Sequence, residues 1–339
     1  MGKIYTALGL MSGTSMDGVD ASIIQTDGKA KYKAILDKYF EYPKNIYKNL
    51  TLLRDKIKST KDLKKHQKQI KSIEKEITIF HAKAVNETLK KNRIKVDFVG
   101  FHGQTIFHNA KEKITKQLGD GKLLSKLTKK TVVYEFRQKD LKNGGEGAPL
   151  APIFHQLLKK KFNIKQASFF NIGGILNKTT IWEDGLLTAK DIGPGMCLID
   201  KWIRNKSKKK YDKNGNIAKS GKVNKKILDK FYNIFQLADP ERKSYDVSDF
   251  DISFAKGMSL KDGAATLTFY TANLFIYHFK INSMLQDLKK EKTILCGGGR
   301  KNKFLVDSLR SKIKNKISLI DDLNIDGDYI ESQAFAFLA

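Results

Sequence analysis

Apolar, β-branched runs alternate along the chain with glycine-rich polar turns and with stretches whose apolar residues recur at helical spacing. Ile4 to Met11 and Val19 to Thr26 are two such runs, joined by Ser12-Gly13-Thr14-Ser15-Met16-Asp17-Gly18. This pattern predicts a β-hairpin with a polar loop, because Gly, Ser and Asp adopt turn conformations that bulkier residues resist. A third strand is predicted over Lys33 to Phe40. From Thr60 to Lys91 the apolar residues Leu63, Ile70, Ile73, Ile77, Phe80, Ala84 and Leu89 are spaced by threes, fours or their sums. One long amphipathic helix is expected there, with its Lys-rich face in solvent. Strands follow at Val96 to Phe101 and Thr131 to Phe136, each leading into a polar loop.

The second half repeats the theme. Strands are predicted at Ala167 to Ile172, Leu176 to Trp182 and Leu187 to Ile192, the first two joined by a tight turn at Gly173-Gly174. Helices are expected over Met196 to Asn205, Lys225 to Phe235 and Asp262 to Leu288, then a last strand, Thr293 to Cys296, meeting Gly297-Gly298-Gly299. Ser207 to Gly221, rich in Lys, Asn and Gly, reads as an exposed excursion. Two halves that each open with strands around a glycine turn and continue into helices point to a duplicated α/β fold.

Composition narrows the function. At 339 residues and 40% hydrophobic, the chain can bury a full core. Its two cysteines sit in apolar runs and cannot form a disulfide framework, which fits a reducing, cytoplasmic setting. No apolar stretch approaches the roughly 20 residues a bilayer span requires, so no membrane partner is expected. The net charge of +28 raises the question of nucleic acid. Only seven of the 64 basic residues are Arg, the residue preferred for bidentate reading of phosphates and bases, and the Lys residues are spread over the whole chain. A solvated Lys-rich surface is the simpler account, and a nucleic-acid partner is not expected.

The candidate chemistry lies in the turns. There is neither a Walker A loop nor a GxGxxG fingerprint, so a bound nucleotide needs another cradle. Gly13-Thr14-Ser15-Met16-Asp17-Gly18-Val19-Asp20 offers one: glycines admit phosphate to backbone N–H groups, hydroxyls add donors, and Asp17 and Asp20 can hold Mg²⁺ directly or through water. A solvated hairpin turn would have the same composition. Gly173-Gly174 and Gly297-Gly298-Gly299 are further turns against which a base or phosphate could lie. Asp191-Ile192-Gly193-Pro194-Gly195-Met196 suits a sharp exit from a strand into a helix, setting a carboxylate beside N–H groups that could receive an anion. Asp191 is thus placed to act as a base, with helix capping and Mg²⁺ ligation as alternatives. His102, Gln104 and Thr105, and Arg137 with Glu146, lie in segments able to hydrogen-bond a polyhydroxylated ligand. His102 and His108 lack a third ligand at metal spacing, so no zinc site is expected.

Taken in order, these segments resemble the anhydro-N-acetylmuramic acid kinase family. The resemblance rests on Gly9 to Asp20, His102-Gly103-Gln104-Thr105, Phe136-Arg137 with Gly144 to Pro149, Asn171 to Gly174, Asp191 to Gly195, Cys296 to Gly299 and Glu331 to Ala336. It implies the two-lobed actin-like, ribonuclease H-like ATPase fold with an inter-lobe cleft, divided as residues 1–140 with 325–339 and residues 141–324. It also implies ATP and Mg²⁺ as cofactors, an ATP loop at Gly13 to Asp20, adenosine contacts at Gly173, Gly174 and Gly297 to Gly299, and a catalytic Asp191. The activity implied is opening of a 1,6-anhydro sugar with phosphorylation of O6, in peptidoglycan recycling. Kinase action on another anhydrosugar such as levoglucosan, and a non-metabolic ATPase switch, are the alternatives. The family's usual Thr and Asn are here Ile192 and Met196, its usual Asp before Phe-Arg is Glu135, and its usual Gln between glycines is Glu146. The lost hydroxyl at Ile192 and lost amide at Met196 leave Asp191 intact and bear on the hydrogen bonds around it. The sequence leaves oligomeric state open, a homodimer included.

Overall fold

The computed structural model describes residues 2–229, 245, 247–285, 291–313 and 317–339. They form two compact units, residues 1–161 with 329–339, and residues 162–328. In the first unit, β1 (Tyr5–Ser12), β2 (Gly18–Thr26) and β3 (Tyr32–Glu41) form an antiparallel meander. On its other side β1 pairs in parallel with β4 (Phe98–Asn109). The first half of β4 pairs in parallel with β6 (Thr131–Tyr134), and its second half antiparallel with β5 (Ile114–Leu118).

The second unit repeats this order. There β7 (Gln166–Ile172), β8 (Ile175–Ile181) and β9 (Leu187–Pro194) form the meander, and β7 pairs in parallel with β10 (Glu291–Cys296), which pairs in parallel with β11 (Ile317–Leu319). Each unit is therefore a mixed α/β sheet in which three antiparallel strands lead to two parallel ones, the arrangement expected of a ribonuclease H-like fold present twice.

The helices follow from the apolar stripes. In the first unit Leu8, Leu10, Val19, Ala21 and Ile23 share a core with Ile46, Leu50 and Leu53 of α1 (Lys44–Lys56) and Ile70, Ile73, Ile77 and Val85 of α3 (Gln67–Asn92). The single helix expected over Thr60 to Lys91 is two. A short α2 (Thr60–Lys65) is started by a Ser59–Asp62 capping box and ends at His66, whose ψ of 17° lies outside helical values. Two more helices, α4 (Gly121–Thr128) and α5 (Phe136–Lys142), flank β6.

Residues 141–161 belong with the first unit, whereas the sequence division assigned them to the second. The reason is α6 (Pro152–Lys161): its Phe154 packs edge-on against Tyr32 of β3 at 5.3 Å, and Lys161 Nζ donates to the Tyr32 carbonyl at 2.8 Å. Residues 325–328, assigned to the first lobe, belong with the second unit.

In the second unit Phe170, Ile172, Leu176 and Ile192 share a core with α7 (Cys197–Lys206) and α9 (Leu260–Leu285). The expected excursion over Ser207 to Gly221 is only partly exposed. It holds the four-residue α8 (Asn216–Lys219), and Asp212, 3% exposed, accepts from the backbone N–H groups of Ile217 and Ala218 at 2.9 Å. Of the helix expected over Lys225 to Phe235, residues 225–229 are helical and the rest lie outside the described residues. The last three positions of the helix expected to reach Leu288 also lie outside them. α10 (Lys303–Lys312) is capped by Asn302, whose Oδ1 accepts from Leu305 N at 3.0 Å. Cys197 and Cys296 are both buried free thiols.

α11 (Ile330–Leu338) brings the chain back to the first unit and lies across β1 and β4. A Cβ on Gly9 would overlap the Ser332 carbonyl, and one on Gly100 the Phe335 carbonyl, so both strands need glycine for the helix to approach. A buried polar chain fixes it: Tyr32 Oη donates to Gln333 Oε1, Gln333 Nε2 donates to the Asp37 carboxylate at 3.0 Å, and the Ser22 and Ser332 hydroxyls meet at 2.6 Å.

Candidate functional site

The Gly13–Asp20 segment is the β1–β2 turn, and it is clasped from β4. Between Leu10 and Ser12 the register with β4 shifts from Phe101 to Gln104, an extra residue accommodated at Gly103, which has φ 75°. The bulge sets Gln104 opposite Ser12. Ser12 Oγ donates to Gln104 Oε1 at 2.7 Å and lies 2.8 Å from the Gly18 carbonyl and 3.1 Å from Tyr42 Oη, while Gln104 Nε2 donates to the Gly13 carbonyl at 3.0 Å. Gln104 thus holds the turn, a role invisible in sequence, as was that of Ser12 and Tyr42.

The turn's members divide. Met16, at φ 57° and 1% exposed, and Val19, fully buried, send their side chains into the first unit's core, so only their backbones can serve a nucleotide. Gly18 cannot accept a side chain, since a Cβ would overlap the Phe40 carbonyl. At Gly13 φ is not positive and a Cβ would meet no atom within 4 Å. Neither conformation nor packing requires glycine there, which is what a backbone kept bare for a ligand would show.

Ser15 Oγ donates to Asp17 Oδ1 at 2.6 Å. Burial, then the charges of Asp17, Glu41 and Asp20 in that order, push the Tyr39 hydroxyl well above its ordinary range, so these three carboxylates gather at one edge of the turn. Among the described residues no group of three or more carboxylate, imidazole or thiol side chains could hold a metal ion.

His102 to Thr105, expected in a loop, lie within β4, which continues past Phe101 because it acquires β5 as a partner. His102 is 5% exposed and both ring nitrogens are used: Nδ1 is 2.9 Å from the Gly103 carbonyl, and Arg137 Nε donates to Nε2 at 2.9 Å. His102 is therefore neutral, with its proton on Nδ1. Burial, then the Arg137 charge, hold its pKa well below the usual histidine range. Arg137 lies in the first turn of α5, whose N-cap, Glu135, adopts left-handed φ 61°. Burial raises the Glu331 carboxyl against the pull of Arg137, which identifies Glu331 of α11 as a third member of this cluster. Thr105 Oγ1 accepts from Gln117 Nε2 at 3.3 Å. Glu146 lies in the turn after α5, where Gly145 N donates to the Asp140 carbonyl at 2.9 Å and Gly147 N to Asp140 Oδ2 at 2.7 Å. His102 is thus a support for Arg137 and not a free sugar-binding imidazole.

In the second unit Asp191 lies on β9 at a bulge: Asn177 of β8 pairs with Asp191 and Leu176 with Gly193, leaving Ile192 as the extra residue. Asp191 Oδ2 accepts from Tyr245 N at 2.8 Å. Three amides of the segment that follows, which the sequence reading left free, are taken by the chain itself. Gly195 N and Cys197 N donate to the Gly174 carbonyl at 2.9 and 3.2 Å, and Met196 N donates to the Gly173 carbonyl at 2.8 Å. Nor does Asp191 cap α7, whose N-cap is Met196. These three amides stitch β9 to the Gly173–Gly174 turn. Ile192 contributes its side chain to the core, and Met196 makes no side-chain cap, as its loss of an amide requires.

The Gly297–Gly299 turn is held from below by Arg300. Its guanidinium, with a side chain 2% exposed, donates to Asp321 from Nε at 2.6 Å and Nη2 at 2.9 Å, to Asp328 from Nη1 at 2.7 Å, and to the Gly297 carbonyl at 3.1 Å. Burial opposes ionisation of Asp321, but its bonds to Arg300 prevail and hold it below the usual carboxylate range. Gly297 has φ 75° and Gly299 abuts Ile172, so both are structural. Gly298, like Gly13, has a non-positive φ and nothing within 4 Å of a Cβ, and Gly173 meets its nearest atom at 3.4 Å.

Comparison with known proteins places these loops in context. Residues 5–339 match the family model described as anhydro-N-acetylmuramic acid kinase. The chain is similar to the anhydro-N-acetylmuramic acid kinase of Pelagibacter ubique, at 53% identity covering 100% of this chain and 92% of that one. It is similar to that of Agrobacterium fabrum at 36% identity with the same coverage.

Proposed function

The chain belongs to the anhydro-N-acetylmuramic acid kinase family, and from that premise we propose that it uses ATP and water to convert 1,6-anhydro-N-acetylmuramic acid into N-acetylmuramic acid 6-phosphate and ADP. The observation that carries the chemistry is the setting of Asp191, a strand carboxylate fixed by the Tyr245 N–H and joined through β9 to the Gly173–Gly174 turn.

In this reading Asp191 is the general base. As a carboxylate it can take a proton from water directly. The water oxygen bonds to C1, the C1–O6 bond breaks, and its electron pair stays on O6. O6 then bonds to the γ-phosphorus as the β,γ-bridging oxygen leaves with ADP. In the first unit the bare backbone at Gly13 would receive phosphate, and Gln104 and Ser12 would keep the Gly13 turn in shape. Mg²⁺, when bound, would neutralise phosphate charge, with Asp17 and Asp20 as its residues. Arg137, oriented by His102 and accompanied by Glu331, would contact the sugar.

The test follows the water. In ¹⁸O-water the label should enter the anomeric hydroxyl of an early-quenched product, above a control of finished product incubated in the same water, and none should enter the phosphate ester. Label in the ester, or none at C1 beyond the control, overturns the hydrolytic mechanism. ADP release measured over a panel of anhydro and ordinary amino sugars separates this substrate from levoglucosan. Release without any sugar would favour the ATPase alternative.

A further inference from the structure

Tyr42, the first residue beyond β3, reaches the Gly13 turn at both of its ends. Its backbone N–H donates to the Asp17 carbonyl at 2.8 Å, and its hydroxyl lies 3.1 Å from Ser12 Oγ. The direction of that second bond follows from counting protons. Gln104 Nε2 donates to the carbonyls of Gly13 and Thr105 at 3.0 and 3.3 Å, so the Oε1 that faces Ser12 can only accept. Ser12 has one hydroxyl proton, and two acceptors compete for it, Gln104 Oε1 at 2.7 Å and the Gly18 carbonyl at 2.8 Å. The Tyr42 hydroxyl is therefore the donor to Ser12. Burial holds that hydroxyl well above its ordinary range against the pull of the Ser12 bond, with the Asp17 charge adding to the rise, so the proton stays in place to be donated.

Ser12, Gln104 and Tyr42 together grip the turn by its acceptors: the carbonyls of Gly18, Gly13 and Asp17 respectively. An anion is received by N–H groups and gains nothing from a carbonyl. The clamp thus fixes the turn without drawing on the groups a phosphate would need. Packing does not explain the Tyr42 hydroxyl either. The residue is 4% exposed, and its ring lies 4.9 Å from that of Phe80 and 6.2 Å from that of His81, contacts a phenylalanine would make as well. What the hydroxyl adds is the bond to Ser12.

We propose that Tyr42 is a positioning residue for ATP: by donating to Ser12 it supports the hydroxyl that ties Gly18 to Gln104, and so keeps the backbone of the turn in the shape that receives phosphate. This rests on the reading of the Gly13 turn as the phosphate site. Tyr42 acts through Ser12 and needs no contact with the nucleotide.

The test is a double-mutant cycle read by ATP binding. Tyr42→Phe keeps the ring and the backbone bond to Asp17 and removes only the donor. Its affinity for ATP, measured by calorimetry on the full chain, should fall by about fivefold, the scale of one hydrogen bond, while the KM for the sugar stays within about twofold of the parent. In a Ser12→Ala background the further change Tyr42→Phe should weaken ATP binding by less than about twofold, because the group through which Tyr42 acts is already gone. Parental ATP affinity in Tyr42→Phe, an equal loss for ATP and sugar, or a full additional loss in the Ser12→Ala background overturns the proposal. Should Tyr42→Phe not fold, Ser12→Ala alone decides, since parental ATP affinity there breaks the path from Tyr42 to the turn. Gly13→Val is measured in parallel: parental ATP binding there would remove the turn from the phosphate site itself, whereas lost binding there beside a parental Tyr42→Phe would remove only the role of Tyr42.

Discussion

Arg137 Nε donates to His102 Nε2 at 2.9 Å, and the imidazole can accept because its own proton is committed to the Gly103 carbonyl at 2.9 Å. The two residues, 35 apart in sequence, form one device: a buried neutral ring that fixes the direction of a guanidinium. Protonation would turn the acceptor into a donor facing another cation. Replacing His102 with Ala should therefore raise the KM for the sugar by about tenfold, corresponding to one lost hydrogen bond to a charged group, and leave the affinity for ATP unchanged. Steady-state kinetics with each substrate varied checks this, and an equal loss for both would reassign His102 to general folding.

The glycines of the first turn should separate by what surrounds them. Gly13→Val meets open space and a permitted backbone, so the melting temperature should stay within a few degrees while ATP binding, followed by calorimetry, falls by at least tenfold. Gly18→Val would collide with the Phe40 carbonyl and the Tyr39 ring, and should destabilise the unit by about 2 kcal/mol or more before binding is considered. Matching melting temperatures for the two variants would contradict this division.

Asp191→Asn keeps the size of the side chain and can still receive the Tyr245 N–H through its carbonyl oxygen. Folding should survive, while turnover should fall by roughly two orders of magnitude or more, the scale of general-base catalysis. Circular dichroism and the ADP-release rate together test this, and an active Asn variant would return Asp191 to a structural role.

Acid should loosen the first unit through His81. Its ring is fully buried, its Nδ1 lies 2.7 Å from the Ile77 carbonyl, and burial lowers its pKa to about 4. The unfolded chain, near 6.5, binds the proton more readily, so stability is complete above pH 6.5 and declines as pH falls toward 4. At 1.36 kcal/mol per unit the loss by pH 4 is about 3 kcal/mol, and urea titrations at pH 7.5 and 5 should show more than half of it. His81→Leu should flatten the dependence. His155, lowered to about 3 by burial, adds in the same direction.

Local spacing explains what could be read beforehand. The hairpin around Gly13, the turn at Gly173 and the exit at Gly297 are each encoded within a few residues, and their strands were placed to within a few positions. What escaped reading depended on partners distant in sequence. β4 runs through His102 to Asn109 because β5 pairs with it, and Gln104 faces Ser12 because of a bulge. The helix start after Pro194 suggested free amides, but three of them, at Gly195, Met196 and Cys197, are occupied by carbonyls of a turn about 20 residues earlier. The partnership of Arg300 with Asp321 and Asp328 likewise closes over more than 20 residues.

Because α11 is delivered only by residues 330–338, while its seat on β1 and β4 is formed by residues 5–12 and 98–109, the second unit is an insertion within the first. The ribosome therefore completes residues 162–328 before the first unit can close. During synthesis, the apolar strip around Gly9 and Gly100 and the polar chain from Ser22 to Asp37 wait without their cover. The inserted unit can fold while its host is still incomplete, reversing the usual N-terminal-first order.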